Sequence, residues 1–306
     1  MNKKIRVFLF GGLGNQLFIF YAGQSLSKIN KKEVVFDSTE MNYGITHHGS
    51  SINSFDFGYP VKIEQGRLEK SNHYFLVVLR RLARNKFLKK LLLLYPGIYF
   101  SPSVGFDQNV SNEKNLHFVY GYFQSWKHFE NLGQFEKSRI LIPPSIKSPT
   151  DWFISKVGEA EATKPIMIHL RLGDYFKLAG SFGVLSENYY RRAISEVRKI
   201  YKNNPIWIYS NDLDFAKKIL EREGEEIFQY IEAPKNSTDV ESLLLMSKGI
   251  AIVISNSTFS WWSAAFSKPG TSIYYPSKWF KALDDPEDLI PRDWTPIESE
   301  WLESEI

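Results

Sequence analysis

The chain has 306 residues, about twice the length of a typical single domain, and its composition (43% hydrophobic, 24% charged) is that of a globular protein rather than a disordered one. Cysteine is absent, which excludes disulfides, thiolate metal sites, iron–sulfur clusters and a cysteine nucleophile. The net charge is +4, but the charges are unevenly distributed: from Asp284 onward there is an acidic C-terminal tail with nine acidic residues and one basic residue. The rest of the chain is therefore basic, which favours anionic partners.

A strand, a glycine-rich turn, a helix and a second strand are predicted at the N-terminus. They cover residues 5–10, 11–15, 16–28 and 34–37. This βαβ unit is typical of a doubly wound sheet, and Asp37 ends its second strand where a dinucleotide fingerprint places a ribose-binding acid. Leu17 occupies the third glycine position of that fingerprint, so a tight structural turn and a ligand contact both stay open for the glycine loop.

A basic helix is predicted over residues 75–94, with apolar side chains on one side and six arginine and lysine residues elsewhere. It is either a core-packed helix with a solvated face, or a surface for an anionic membrane or a lipid-linked phosphate. No apolar run approaches the roughly 18 residues of a membrane span, and the N-terminus does not have the pattern of a signal peptide. The sequence therefore predicts a soluble, cytoplasmic protein, with peripheral contact at the inner face of the cell membrane as a further hypothesis.

A proline-containing stretch at residues 142–149 predicts a domain boundary near residue 150. Beyond it, apolar runs typical of strands occur at 166–172, 206–210, 227–231, 250–255 and 272–275, with helical patterns at 187–201, 213–223, 240–248 and 259–267. Five strands alternating with helices indicate a parallel sheet. The predicted fold is therefore α/β, with two Rossmann-like domains (residues 1–150 and 151–306) facing a cleft.

His169 and Arg171 are polar residues at the end of the first of these strands. They alternate with apolar residues and so share one face of the strand. An arginine at the carboxyl end of a strand is expected to pair with an acid or to hold a phosphate through two N–H groups. Arg171 therefore either braces the turn by pairing with Asp174 or binds an anionic ligand.

A cluster of small polar residues, Ser255 to Thr258, follows the most apolar strand and opens a helix. Backbone N–H groups, hydroxyl donors and the helix dipole could together seat a phosphate, and the alternative is an elaborated helix cap. Trp261 and Trp262 are adjacent and cannot share one helix face, so at least one is expected to pack in the core.

Two pairs of acidic residues follow predicted strands. Asp212 and Asp214 form a D-x-D, a spacing that can hold a divalent metal on a diphosphate, but no histidine or third acid lies nearby in the sequence. We interpret them as acids favourable at a helix start and expect no metal site. Thr238 and Glu241 fit a capping box, and the alternative is that the acids of this segment, Asp239 included, accept hydrogen bonds from guanine.

Taken together, these segments resemble the bacterial-type α-1,2-fucosyltransferases of glycosyltransferase family 11. The resemblance is carried, in the order of the family, by residues 11–18 (GGLGNQLF), 121–125 (GYFQS), 169–175 (HLRLGDY) and 255–262 (SNSTFSWW). The D-x-D is not part of the family pattern. One departure is Leu172, which stands where the family has a second arginine.

The resemblance implies a GT-B arrangement, GDP-β-L-fucose as donor substrate, inversion at the anomeric carbon of fucose, and no metal or other cofactor. It implies a galactose 2-hydroxyl as acceptor, in an oligosaccharide or lipid-linked glycan bound by residues 1–150, with the donor bound by residues 151–306. Arg171 is expected on the β-phosphate, Asp174 as its brace or as the acceptor's base, and Asn15 as a group that orients the fucose or the incoming hydroxyl. The expected donor-binding residues are Gly12, Gly14, His169, Arg171, Asp239, Glu241, Asn256, Ser257, Thr258 and Phe259.

Three other interpretations stay open. Another GDP-sugar transferase would share these segments but use a different donor sugar or linkage. A nucleotide-binding oxidoreductase is suggested by the first glycine loop, and the missing third glycine argues against it. A nucleic-acid-binding protein is suggested by the basic helix, but its bases are not interleaved with aromatic residues on a sheet, so nucleic acid is not an expected partner.

Overall fold

The computed structural model describes residues 4–42, 51–64, 97–113, 115–133, 135–136, 139–140, 142–221 and 226–302. The chain forms two compact units, which we call unit 1 (residues 1–135 and 286–289) and unit 2 (residues 136–285 and 290–306). The basic helix predicted over residues 75–94 lies outside the described residues. Among the described residues, no helix is long and apolar enough to cross a membrane.

Unit 1 is built on a parallel sheet of five strands. Its elements in chain order are β1 (Lys4–Phe8), α1 (Leu13–Asn30), β2 (Glu33–Asp37), β3 (Phe55–Asp56), β4 (Ile63–Glu64), β5 (Ile98–Phe100), α2 (Gln108–Asn112) and β6 (Phe118–Tyr120). The sheet has the order β4-β2-β1-β6-β5, and all its neighbouring strands are parallel. Because α1 carries large apolar residues on nearly every turn, most of its surface is buried against the sheet and the short turns around it.

A network of charged residues ties three strands of unit 1 together. Arg6 on β1 donates to Asp37 on β2 at 2.7 Å and to Glu64 on β4 at 2.9 Å. Asp37 is buried, and its other oxygen accepts from the backbone and hydroxyl of Thr39. Both carboxylate oxygens of Asp37 therefore accept hydrogen bonds within unit 1, unlike the free ribose-binding acid of a dinucleotide site.

The segment 286–289 completes unit 1 from far along the chain. The backbone N–H of Phe106 donates to the carbonyl of Glu287 at 3.0 Å, and the hydroxyl of Ser125 donates to that of Asp288 at 2.8 Å. A Cβ on Gly105 would come within 2.3 Å of the Glu287 backbone nitrogen, so only glycine allows this approach. Lys127 adds an ion pair with Asp288 at 2.7 Å.

Unit 2 contains a six-stranded parallel sheet. From residue 135 the elements are β7 (Phe135–Glu136), β8 (Arg139–Ile140), β9 (Ser145–Ile146), α3 (Asp151–Thr163), β10 (Ile166–Leu170), α4 (Glu187–Arg198), β11 (Ile206–Ser210), α5 (Leu213–Leu220), β12 (Phe228–Tyr230), α6 (Asp239–Met246), β13 (Ala251–Val253), α7 (Thr258–Ala265), β14 (Ser272–Pro276) and β15 (Thr295–Ile297). The order β12-β11-β10-β13-β14-β15 is that of a Rossmann fold. The predicted α/β class with two Rossmann-like domains is confirmed.

The division between the units falls at residue 135 instead of near residue 150. Thr150 explains why the intervening residues belong to unit 2. Its side chain caps α3 by accepting from the backbone of Phe153, and its own N–H donates to the buried carboxylate of Glu241 at 2.7 Å. The proline-containing stretch is thus the entry to α3, anchored within unit 2.

The acidic C-terminal segment is largely absorbed into the fold, contrary to the predicted tail. Within it, β15 adds the sixth strand of unit 2, which sequence reasoning missed because the strand has three residues and contains Pro296. Asp285 accepts from the backbone of Trp279 and Phe280, and Glu300 accepts from Ser186 and Arg192. These acids serve as hydrogen-bond acceptors for nearby loops.

Candidate functional site

The candidate site lies in unit 2 at the point where its strand order reverses. β10 and β13 are neighbours there, while the chain continues from β10 to β11 on the opposite side. Open α/β sheets bind ligands beyond the carboxyl ends of strands at such a point. His169 and Arg171 come from the end of β10, and the cluster from Ser255 to Thr258 follows β13. The structure therefore brings together two of the predicted segments.

His169 links these two segments directly. Its Nδ1 lies 2.8 Å from the hydroxyl of buried Ser255, and its ring packs 5.6 Å from that of Phe259. Burial, aided by the positive charge of Arg171, lowers the pKa of His169 to about 3. The imidazole is therefore neutral near pH 7, and it joins the end of β10 to the loop before α7.

Arg171 is half-buried, and its guanidinium lies over an aromatic ring. Its guanidinium carbon lies 5.1 Å from the centroid of Tyr175, which favours a planar cation in this position. The hydroxyl of Tyr175 donates to the backbone carbonyl of Asn256 at 3.2 Å. Tyr175 thus fixes the guanidinium relative to the loop after β13. Sequence reasoning missed this role, although the spacing of four residues between Arg171 and Tyr175 was visible.

The turn after Arg171 is clamped by Asn211. The backbone N–H of Leu172 donates to the Asn211 side chain at 2.9 Å, and the Leu172 carbonyl accepts from it at 3.1 Å. Gly173 has a φ of +56°, and a Cβ there would meet the same amide at 2.6 Å. The side chain of Leu172 is fully buried in the apolar core of unit 2. This burial explains why a leucine suits the position where the family pattern has a second arginine.

Asp174 lies on the short 3-10 helix Gly173–Leu178 that follows Arg171. Its backbone is therefore near the end of β10, as predicted from its spacing. Its side chain is outside the described part of the chain, and its assignment as a brace or a base stays a prediction.

The loop after β13 supplies hydroxyl groups and backbone N–H groups at the start of α7. Ser257 is the N-cap of α7 and accepts from the backbone of Phe259 at 3.3 Å, while Thr258 is partly exposed on the first turn. Helix dipole and unsatisfied N–H groups make such an end attractive to anions. Asn256 faces a different way, because its amide donates to the carbonyls of Phe182 and Gly183.

The two tryptophans after this loop both pack in the core. Trp261 and Trp262 are fully buried, which confirms that at least one of them does so. Neither ring is exposed for stacking on a substrate.

The two acids at the start of α6 have different surroundings. Glu241 is 1% exposed, forms the predicted capping box with Thr238, and accepts from the backbone N–H of Thr150 at 2.7 Å. Both of its oxygens are therefore engaged by backbone groups, a structural role. Asp239 is exposed on the first turn of the same helix, so a guanine contact from this segment fits Asp239 better than Glu241.

The D-x-D after β11 has the structure expected of acids at a helix start. Asp212 is the N-cap of α5 and accepts from the backbone of Phe215 at 3.0 Å, and Asp214 lies in the first turn. Within the described residues, no three histidine or acidic side chains are grouped so that they could hold a metal ion.

The glycine loop lies in unit 1, where α1 begins three residues earlier than predicted. Gly12 is the N-cap without a side-chain cap, so Gly14 and Asn15 lie on the first turn of the helix. The Oδ1 of Asn15 accepts from the side chain of Gln124 at 2.9 Å. Gln124 belongs to the GYFQS element and was not among the predicted site residues.

The chain is similar in sequence to known glycosyltransferases. The model of the family described as "Glycosyl transferase family 11" matches residues 106–298. An alpha-1,2-colitosyltransferase of Escherichia coli is 25% identical over 298 residues, which cover 95% of this chain and 97% of that protein. The O-antigen biosynthesis glycosyltransferase WbnK, also from Escherichia coli, is 24% identical and covers 94% of this chain and 93% of its own length.

Among solved structures, the chain is similar to NodZ alpha-1,6-fucosyltransferase soaked with GDP-fucose, with NodZ coming from Bradyrhizobium. The TM-score is 0.50 at 11% identity, over 87% of this chain and 93% of the other. At that identity the likeness shows a shared fold. The family match spans well over half of the sequence and includes the Arg171 and Ser257 segments, so the chain belongs to glycosyltransferase family 11.

Proposed function

We propose that this protein is an inverting fucosyltransferase that moves L-fucose from GDP-β-L-fucose to the 2-hydroxyl of a galactose residue in a glycan. The observation that carries the proposal is the placement of Arg171 on Tyr175 beside the start of α7, at the switch point of the unit 2 sheet. A fixed guanidinium and a helix N-terminus together suit a diphosphate. Family membership and the likeness to a fucosyltransferase soaked with GDP-fucose support this choice of donor.

The proposed reaction is a direct displacement at the anomeric carbon. The bond from fucose to the β-phosphate oxygen breaks as the acceptor hydroxyl attacks from the opposite face, so the configuration inverts. Negative charge develops on the leaving GDP, where Arg171 and the donors of Ser257 and Thr258 would stabilise it. The proton of the acceptor hydroxyl leaves as the new bond forms.

Asp174 and Asn15 complete the proposed machinery. We assign Asp174 mainly to bracing Arg171, because a carboxylate paired with a guanidinium is a weak base. His169 is an unsuitable base, since it is buried and its Nδ1 is engaged by Ser255. Asn15 would orient the fucose or the incoming hydroxyl. We further propose a cytoplasmic enzyme that acts on a galactose-terminated oligosaccharide or a lipid-linked glycan.

A panel of donors and acceptors tests the proposal. GDP-fucose with galactose-terminated acceptors should give a product whose linkage, determined by NMR, is α-1,2. The second candidate is transfer of a different GDP-linked sugar, which the likeness to an alpha-1,2-colitosyltransferase favours. A colitose donor and GDP-mannose therefore belong in the panel. Faster transfer from either one than from GDP-fucose would contradict the proposed donor.

Chelation of divalent metals is expected to leave the transfer rate unchanged. Asp212 caps α5 and is occupied by a backbone N–H, so it is poorly placed to share a metal with Asp214. The charge of the leaving diphosphate would be met by Arg171 instead. The measurement compares initial rates with and without EDTA. If EDTA lowers the transfer rate and manganese or magnesium restores it, Asp212 and Asp214 would be identified as metal ligands.

A further inference from the structure

Two side-chain amides meet at the carboxyl edge of the unit 1 sheet. Gln124 follows β6 and donates from Nε2 to the Oδ1 of Asn15, which lies on the first turn of α1 directly after β1. β1 and β6 are neighbours, and the chain continues from β1 to the opposite side of the sheet. This edge is therefore the place where an open α/β sheet receives a ligand.

The contact sets which way the Asn15 amide is turned. Oδ1 faces Gln124 and uses one of its two acceptor sites there, and Nδ2 presents the N–H donors of the amide. Nδ2 lies over Gly11, since a Cβ on that glycine would come within 2.8 Å of it, and Gly11 has a φ of +77°. The glycine thus gives the amide its space. Gly12 provides no side-chain cap, so the N–H groups at the start of α1 and Asn15 Nδ2 form one set of donors.

The position of Gln124 is itself tightly fixed. The residue is 7% exposed, and its backbone N–H donates to the carbonyl of Val104 at 2.7 Å. Phe123 before it is fully buried with a φ of +54°, a backbone conformation that bulky residues seldom adopt. Ser125 after it is held by the carbonyl of Asp288. The surrounding backbone therefore places the Gln124 side chain against Asn15, where its amide is oriented by the hydrogen bond to Asn15, since its Oε1 is buried with no hydrogen-bond partner among the described residues.

We propose that Gln124 is a positioning residue for sugar transfer, which keeps the Asn15 amide turned so that its Nδ2 donates to an oxygen of the bound substrate. Without Gln124, the amide can turn over and offer Oδ1, which repels that oxygen. The inference rests on the proposed function. It assigns a role in sugar transfer to Gln124, which lies far in the sequence from Arg171, the residue proposed to bind the diphosphate.

A double-mutant cycle on the full chain tests this role. Gln124→Met removes the donor and keeps the length of the side chain, and it should lower kcat roughly 10- to 100-fold with unchanged affinity for GDP. Asn15→Ala should lower kcat to a similar extent. The double variant should lie within about twofold of Asn15→Ala, because Gln124 acts through Asn15 alone. Losses that multiply in the double variant would overturn the proposal.

A matched control and a second measurement accompany the cycle. Gln229→Met removes a comparable 3.0 Å hydrogen bond, to Glu159 in unit 2, and should keep the activity of the parent chain. The NMR signals of the Asn15 side-chain amide should shift in Gln124→Met, and unchanged signals would overturn the inference. If the parent chain transfers no sugar from any donor, the proposed function fails, while these signals still decide the orientation of Asn15.

Discussion

Arg171→Ala is expected to lower the rate of sugar transfer about a hundredfold or more while leaving the protein folded. A fixed donor aimed at charge that develops in the transition state typically contributes about 2.7–4 kcal/mol, as oxyanion-hole substitutions show. Arg171 is pre-positioned by Tyr175, so little of its contribution is lost to ordering the side chain. The measurement is kcat with GDP-fucose, alongside the melting temperature.

Two further variants sharpen this prediction. Arg171→Lys keeps the charge but loses the planar fork of N–H donors that lies over Tyr175, so it should recover only part of the activity. Arg292→Ala removes an exposed arginine from the same unit and should have little effect. If Arg171→Ala retains activity within a factor of about three (under 1 kcal/mol), the guanidinium does not face the leaving group.

Acidification from pH 7 to pH 5 is expected to destabilise both units, because each contains a buried neutral histidine. Burial lowers the pKa of His128 in unit 1 to about 4 and that of His169 in unit 2 to about 3, whereas an unfolded histidine titrates near 6.5. Protons therefore bind the unfolded chain preferentially below pH 6.5. The stability that each histidine contributes is fully present above that pH. Below it, the free energy of unfolding falls by about 1.4 kcal/mol per pH unit for each histidine.

Urea unfolding at several pH values measures this slope. The Nε2 of His128 accepts from the backbone N–H of Asp107 at 3.1 Å and lies 3.3 Å from the carbonyl of Gly105, so protonation exchanges the first hydrogen bond for one to that carbonyl, and burial is the main reason for the lowered pKa. His128→Gln should therefore remove the contribution of unit 1 and leave that of unit 2, with the comparison made between pH 6 and pH 5, above the range where most carboxylates titrate. Equal stability of the parent chain at both pH values would show that these imidazoles are protonated in the folded state.

Local patterns predicted the parts of the fold that depend on neighbouring residues. Apolar runs identified every strand of the six-stranded sheet of unit 2 apart from β15, and the T-x-x-E pattern of Thr238 and Glu241 predicted a capping box that the structure contains. The start of α1 was predicted too late, because the glycines before Asn15 suggested a turn where the helix has already begun.

The contacts that orient the candidate site could not be read from such patterns. Gln124 and Asn15 are 109 residues apart, and Asn211 and the Leu172 backbone are 39 apart. Nothing in the local sequence of Gln124 indicates which side chain it meets, because the pairing depends on β6 lying beside β1. The sequence likewise left both a helix-capping role and a guanine contact open for Glu241. The hydrogen bond from the backbone of Thr150, 91 residues away, favours the structural role.

Segment 286–289 delays the completion of unit 1 until nearly the whole chain has been synthesised. When residue 135 leaves the ribosome, unit 1 still lacks the backbone that packs against Gly105 and accepts from Ser125. About 150 more residues must be synthesised first, a delay on the order of 10–30 seconds. Most of unit 1 is thus made first, but it is completed only when residue 289 has been made, shortly before the last residues of unit 2, and a fragment that stops before residue 286 lacks part of both units.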